Sequence, residues 1–290
     1  NDAIDAIYLE IFAVSRNLEL PELVAYLGPE GSFTHQAAES RFGAMSEYLS
    51  MQSISSVFQS VESKRAKYGV VPIENNIEGV VGETLDLLGH SNLKIVAELL
   101  MPIHHTFATK CDSLKEIKKI YSKDIAFGQC RNFLNEYNLE GVEKIPVEST
   151  AKAARLANSE ENSAAICSHI AAKLNKVPIL FENIEDSSKN KTRFIVVSDF
   201  KNNNSGSDKT SIFVNLQNTN KPGVLFKFLK DFYDAKINLT KIESRPVSNV
   251  GDFSFWFFID FEGHIDEPHI KQVIEKYDNS IKWLGSYPRG

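Results

Sequence analysis

Three short polar clusters hold the side chains that could do chemistry. Glu74, Asn75 and Asn76 bring a carboxylate and two amides to the end of an apolar run, Gly69-Val70-Val71-Pro72-Ile73. Thr192 and Arg193 set a hydroxyl and a guanidinium at the start of another, Phe194-Ile195-Val196-Val197. In Gly28-Pro29-Glu30-Gly31-Ser32-Phe33-Thr34 a glycine-containing turn leads into a helix that Ser32 is placed to cap, and such a terminus attracts anions. Amides, hydroxyls and a guanidinium suit a small anionic ligand. Each cluster also has a plainer use, and Glu74-Asn75-Asn76 could simply be a polar connection between a strand and a helix.

Metal and nucleophile chemistry find less support. His104 and His105 are adjacent, so in a strand they face opposite ways, and no third ligand lies at metal spacing. Cys111, Cys130 and Cys167 are odd in number and far apart, which suits free buried thiols in a reducing compartment.

The elements that must position the clusters follow from periodicity. Residues 68–88 read as a buried strand, a polar turn and a helix through Thr84, Leu85 and Leu88, with Gly79 and Gly82 allowing close backbone approach. In an open α/β sheet, small molecules bind at such strand ends. Strands are also expected at 23–27 and 47–51, and a helix with Ile54, Val57, Phe58 and Val61 on one face. The β-leaning run 93–107, broken by Pro102, is too long for one strand and predicts a crossing into a second lobe. There the alternation repeats: strands at 117–121, 142–147 and 164–166 precede helices at 127–137, 149–158 and 168–174, with Ser149 and Ser168 at cap positions. The strand at 192–197 is expected to return to the first lobe.

Residues 201–209, KNNNSGSDK, are polar and aperiodic, as a linker is. Beyond them a β-α-β-β-α-β order predicts a ferredoxin-like module over 210–290. At the other end, Ile4, Ile7, Tyr8, Ile11 and Phe12 form a helical stripe over 1–20 that is expected to pack on something else. The chain starts at Asn1 without an initiator Met, and a longer gene product is expected.

Composition narrows the partners. A length of 290 residues with 42% hydrophobic and 24% charged residues fits two globular domains, and a net charge of −6 argues against nucleic acid or an acidic membrane surface as partner. With neither a leader nor a run long enough to span a bilayer in view, a cytoplasmic protein is expected.

Five motifs in order then resemble one family. The 28–37 turn, Val71-Pro72-Ile73-Glu74-Asn75 with Gly79 and Thr84-Leu85-Asp86, and Thr192-Arg193-Phe194 resemble the signatures of prephenate dehydratase. Pro222-Gly223-Val224-Leu225 and Glu243-Ser244-Arg245-Pro246 resemble the phenylalanine-sensing ACT domain attached to that enzyme. The resemblance runs from about residue 23 to the C-terminus. It implies an α/β fold: a bilobal, periplasmic-binding-protein-like catalytic domain over 21–200, followed by the ferredoxin-like ACT domain. The helix over 1–20 resembles the end of a chorismate mutase domain, as in fused bifunctional enzymes. Asn76 stands where the family usually has Ser, Ser32 replaces a common Thr and Val224 a common Ala, while Ser122-Lys123-Asp124-Ile125 lacks the usual His-Pro-Gln.

The implied reaction turns prephenate into phenylpyruvate, carbon dioxide and water, and needs neither cofactor nor metal because aromatisation drives it. It calls for a cation to hold a dicarboxylate and donors near the leaving hydroxyl. Arg193 can hold a carboxylate bidentately and Thr192 can donate to the leaving oxygen. Glu74 is either an acid whose pKa is raised by burial or a cap on the nearby helix. The resemblance adds Ser32, Thr34, Asn75, Asn76, Thr84, Ser149 and Thr150 as substrate ligands and Phe194 as pocket wall. It further implies a homodimer or tetramer inhibited by L-phenylalanine, bound by Asn220, Pro222, Gly223, Val224, Leu225 and Glu243, Ser244, Arg245, Pro246. Two alternatives stay open: a non-catalytic bilobal amino-acid sensor, and a C-terminal module that only dimerises the enzyme.

Overall fold

The computed structural model describes residues 2–19, 22–43, 45–216, 221–246 and 255–289. Helix α1 (Asp2–Glu19) leaves its apolar stripe in the open: Ile7, Tyr8 and Phe12 are each more than half exposed. The stripe expected to pack therefore has no cover within the described chain.

The first sheet grows from short buried strands. β1 (Val24–Leu27) pairs in parallel with β2 (Tyr48–Met51), and the helix between them, α2 (Phe33–Phe42), is capped by Ser32 at its start and closed by Gly43. Helix α3 (Ile54–Glu62) buries Ile54, Val57, Phe58 and Val61, the face its spacing predicts. β3 (Tyr68–Asn75) carries the buried Val70, Val71 and Ile73, then folds back as the two-residue strand β4 (Gly79–Val80) before α4 (Gly82–His90) and β5 (Lys94–Pro102).

Pro102 ends β5, and the chain crosses to a second sheet as expected. That sheet contains β6 (Thr106–Thr109), β7 (Lys119–Ser122), β8 (Glu143–Pro146), β9 (Ser163–Cys167) and β10 (Ile179–Phe181) in the order β10-β6-β9-β7-β8. Its helices are α5 (Asp124–Gln129), α6 (Arg131–Glu136), α7 (Thr150–Ser159) and α8 (His169–Leu174). The single helix expected over 127–137 is two, because Cys130 leaves helical geometry at φ −124°, ψ 30°. Alanines Ala151, Ala153, Ala154, Ala164, Ala165 and Ala171 are all buried, and these small side chains let α7 and α8 lie close on the sheet. β11 (Lys191–Ser198) returns to the first sheet, whose order is β2-β1-β3-β11-β5.

The C-terminal module has the β-α-β-β-α-β order: β12 (Asp208–Val214), α9 (Val224–Asp234), β13 (Leu239–Pro246), β14 (Phe255–Glu262), α10 (Pro268–Lys276) and β15 (Ile281–Pro288). Its sheet, β13-β14-β12-β15, is antiparallel throughout, and one face packs on Phe228, Phe232, Ile270 and Val273 of the two helices.

The chain divides into two compact units, and neither follows chain order. One comprises Asn1–Val57, Val70–Val81 and Leu100–Phe194; the other comprises Phe58–Gly69, Gly82–Leu99 and Ile195–Gly290. Within the second unit, α4 and β5 are tied to the C-terminal module. Lys282 Nζ donates to the carbonyls of Gly89 and Ser91 at 2.7 and 2.6 Å, and Lys209 meets Glu98 at 2.6 Å. Gly285 permits this approach: a Cβ there would sit 2.2 Å from the Ile95 carbonyl oxygen. Asn202, in the expected linker, donates to the carbonyls of Val96 and Ser286. No helix among the described residues is long and apolar enough to cross a membrane.

Candidate active site

Within the first unit, the ends of β1 and β3, the start of β11 and the helix starts of the second sheet line a cleft of about 300 Å³. Ser32 sits on its floor with the hydroxyl engaged at both ends, accepting from His35 N–H at 3.2 Å and donating to the Leu27 carbonyl at 3.0 Å. Thr34 follows on the same helix turn and also lines the cleft.

Asn75 organises the β3 side. Its Oδ1 accepts from the N–H groups of Ile77 and Glu78, both at 2.9 Å, which shapes the turn into β4. Its Nδ2 donates to Asn190 Oδ1 at 2.9 Å and to Thr192 Oγ1 at 2.8 Å. Every hydrogen-bonding site of the amide is thereby used. Asn76 staples the same turn to β11, donating to the Lys189 carbonyl at 2.6 Å and accepting from Lys191 N–H at 2.9 Å. It is not among the cleft-lining residues.

On β11 the alternation of side chains separates two neighbours. Thr192 and Phe194 line the cleft, whereas Arg193 between them is buried and does not. Glu74 and the buried Thr84 are also absent from the lining, although Glu74 pairs with Val80 beside it. The site residues brought together are thus Ser32, Thr34, Asn75, Ser149, Thr150, Thr192 and Phe194. Ser149 caps α7, accepting from Lys152 N–H at 3.1 Å.

The lining also holds residues outside the expected site, among them His105, Glu148 and Lys123. His105 is buried against Gln129, with Nε2 and Oε1 2.8 Å apart, and packs edge-on to Phe33. Burial pushes its imidazole below the usual histidine value, against the opposing pull of the Gln129 hydrogen bond and the Glu185 carboxylate. Its neighbour His104 faces Glu185 instead, at 2.6 Å, so the pair does diverge as expected. Glu148 holds Lys152 at 2.5 Å. Lys123, at the start of α5, is the third, and its segment attracted notice only for departing from the family pattern. None of the three cysteines is in the lining, and burial raises the Cys130 and Cys167 thiols, the latter to about 12. Among the described residues no group of three His, Cys, Asp or Glu side chains could hold a metal. Among the described residues the cleft therefore offers hydroxyls, one lysine, two carboxylates and an apolar wall of Ile103, Val81 and Phe194.

The family model for prephenate dehydratase matches residues 24–202, a span that contains the whole lining of the cleft. The chain belongs to the prephenate dehydratase family. A second model, the ACT domain, matches residues 212–279 within the β-α-β-β-α-β module. A bifunctional chorismate mutase/prephenate dehydratase of Aquifex aeolicus is 44% identical over 291 residues, covering 99% of this chain and 79% of the relative. The structure of a prephenate dehydratase from Arthrobacter aurescens in complex with L-Phe superposes with a TM-score of 0.82 at 33% identity, covering 92% of this chain and 90% of that one. GqqA, described as a novel type of quorum-quenching acylase, has a TM-score of 0.83 at 26% identity, covering 93% of this chain and 98% of its own.

Proposed function

We infer that the chain converts prephenate to phenylpyruvate, carbon dioxide and water, under inhibition by L-phenylalanine. Prephenate carries a ring carboxylate and, across the ring, a hydroxyl. As the carbon–carbon bond to the carboxylate breaks, its electron pair enters the ring and the carbon–oxygen bond leaves on the far side. One proton is taken up, so the hydroxyl departs as water.

The observation that carries this reading is the held hydroxyl of Thr192. Asn75 donates into its oxygen, so the hydroxyl proton is left to point at the leaving group, where a preformed donor is worth most. The apolar wall around it weakens the solvation of the departing carboxylate, which favours its release. Thr192 is proposed as the catalytic donor, with Ser32, Thr34, Ser149, Thr150 and Phe194 shaping the cleft. Asn75 and Asn76 act as positioning residues through Thr192 and the β3–β4 turn. A direct role for Glu74, Arg193 or Thr84 would require a side-chain movement into the cleft.

For regulation, we assign phenylalanine to the start of α9 and the end of β13. Gly223 caps α9 at φ +85°, with Pro222 before it and Val224 and Leu225 after; Glu243, Ser244, Arg245 and Pro246 close β13. Asn220 lies outside the described residues. We take the working form to be a cytoplasmic homodimer or dimer of dimers whose gene product also carries a chorismate mutase part, as the Aquifex relative's name has it. Incubating the chain with prephenate and following phenylpyruvate by ultraviolet absorbance tests the activity. A non-catalytic sensor would bind without forming product.

A further inference from the structure

The substrate proposed above is a dianion, and among the described residues Lys123 is the only lysine or arginine that lines the cleft. It stands at the junction of β7 and α5 with its backbone extended, φ −64° and ψ 143°, and its side chain is exposed. That side chain makes no hydrogen bond or ion pair with any other described residue. Other lysines of the same lobe are engaged: Lys119 with Glu160 at 3.2 Å and Lys152 with Glu148 at 2.5 Å. The other charged residues of the lining, Glu78 and Glu148, would repel an anion, which leaves Lys123 as its single attractive charge.

Which carboxylate it holds follows from the chemistry. The ring carboxylate loses its charge as carbon dioxide departs, so a cation paired with it would stabilise the starting state more than the transition state and slow the reaction. The carboxylate of the pyruvyl side chain keeps its charge throughout. A cation there contributes to substrate, transition state and product alike. We propose that Lys123 is the binding residue for the pyruvyl carboxylate, an inference that rests on prephenate being the substrate of this cleft.

Three variants and one product test this. Lys123→Gln removes the charge, Lys123→Arg keeps it, and Lys123→His makes it depend on pH. Expected for Lys123→Gln are a KM for prephenate raised by about tenfold, kcat within about twofold, and inhibition by phenylpyruvate weakened by the same factor as the rise in KM. Lys123→Arg should restore most of the affinity. In Lys123→His, KM should climb as pH rises through about 6.5, a limb absent from the wild type. A purely structural lysine would not create that limb. An unchanged KM in Lys123→Gln overturns the proposal, as does a loss confined to kcat. A raised KM with unaltered phenylpyruvate inhibition also overturns it, because the ring carboxylate would then be the partner. If the wild type fails to turn prephenate over, the functional reading falls on its own. Calorimetry of phenylpyruvate on the wild-type and Lys123→Gln chains still decides the role of Lys123: equal affinities overturn it, and a selective loss supports it.

Discussion

Asn75 Nδ2 lies 2.8 Å from Thr192 Oγ1, although the two residues are 117 positions apart in the chain. The amide donates and the hydroxyl accepts, so the threonine proton cannot be spent on Asn75. Replacing the amide by a carboxylate reverses this polarity while keeping the shape. In Asn75→Asp the oxygens still accept from Ile77 and Glu78, so the turn survives, but the hydroxyl now donates to the carboxylate. We expect kcat to fall by at least tenfold with an unchanged circular dichroism spectrum, since a transition-state donor is worth roughly 3 kcal/mol. Wild-type turnover in a folded Asn75→Asp enzyme would show that the orientation of Thr192 does not matter.

Burial holds His105 neutral, and this makes stability depend on pH. Gln129, Glu185 and His104 are the groups that act on it, and the desolvation of the ring outweighs the first two. Its folded pKa lies below the unfolded value of about 6.5, so as pH falls through 6.5 the unfolded chain takes up a proton that the folded chain refuses. Stability contributed by the neutral ring is present above pH 6.5 and is lost below it. Thermal melts between pH 7.5 and 5 should show Tm falling, with a shallower fall in His105→Gln. An identical slope in that variant would place the effect elsewhere, His35 being the other imidazole lowered by burial.

The regulatory module grips α4 through one ion pair. Arg245 donates to both carboxylate oxygens of Asp86 at 2.9 and 3.0 Å, and a Cβ on Gly82 would meet its guanidinium at 2.8 Å. Helix α4 begins at the residue after Val81, which lines the cleft. A ligand that moves the end of β13 would thus pull on α4 through this pair. Asp86→Asn should weaken phenylalanine inhibition by a few-fold while the uninhibited rate stays put. Pairs this exposed contribute little to stability, so the melting temperature should hardly change. Unaltered inhibition would remove the pair from the coupling route.

Gly223 tests the binding side. At φ +85° it adopts a conformation that costs a β-branched residue about 1–2 kcal/mol, while the space around it is open within the chain. Gly223→Val should therefore act by distorting the turn rather than by a clash with neighbours. The phenylalanine concentration for half-inhibition should rise at least tenfold, with calorimetry on the whole chain showing the matching loss of binding.

The strand ends were legible because glycine, proline and hydroxyl caps punctuate the chain where the cleft forms. Ser32, Asn75, Ser149 and Thr192 all sit at such punctuation, and Pro102 marked the crossing between sheets. Side-chain direction was not legible. Thr192 and Arg193 are neighbours in the motif, and only the strand's alternation shows that one faces the cleft while the other does not. His105 and Gln129 are 24 residues apart, and nothing local indicates that they meet. Lys123 was hidden for a related reason. A lone lysine in a sequence reads as solvated surface, and only the lining of the cleft sets it apart. The compact units were equally invisible, since α4 joins the C-terminal module through Lys282 and Arg245, more than a hundred residues away.

The most direct test is the steady-state rate of phenylpyruvate formation from prephenate by the wild-type chain and by Thr192→Val, with released carbon dioxide measured alongside. The expected result is one carbon dioxide per phenylpyruvate in the wild type and a kcat more than tenfold lower in a Thr192→Val chain that melts normally. No phenylpyruvate from the wild type, or a near-normal rate in the folded variant, would contradict the assignment of Thr192 as the donor to the leaving hydroxyl.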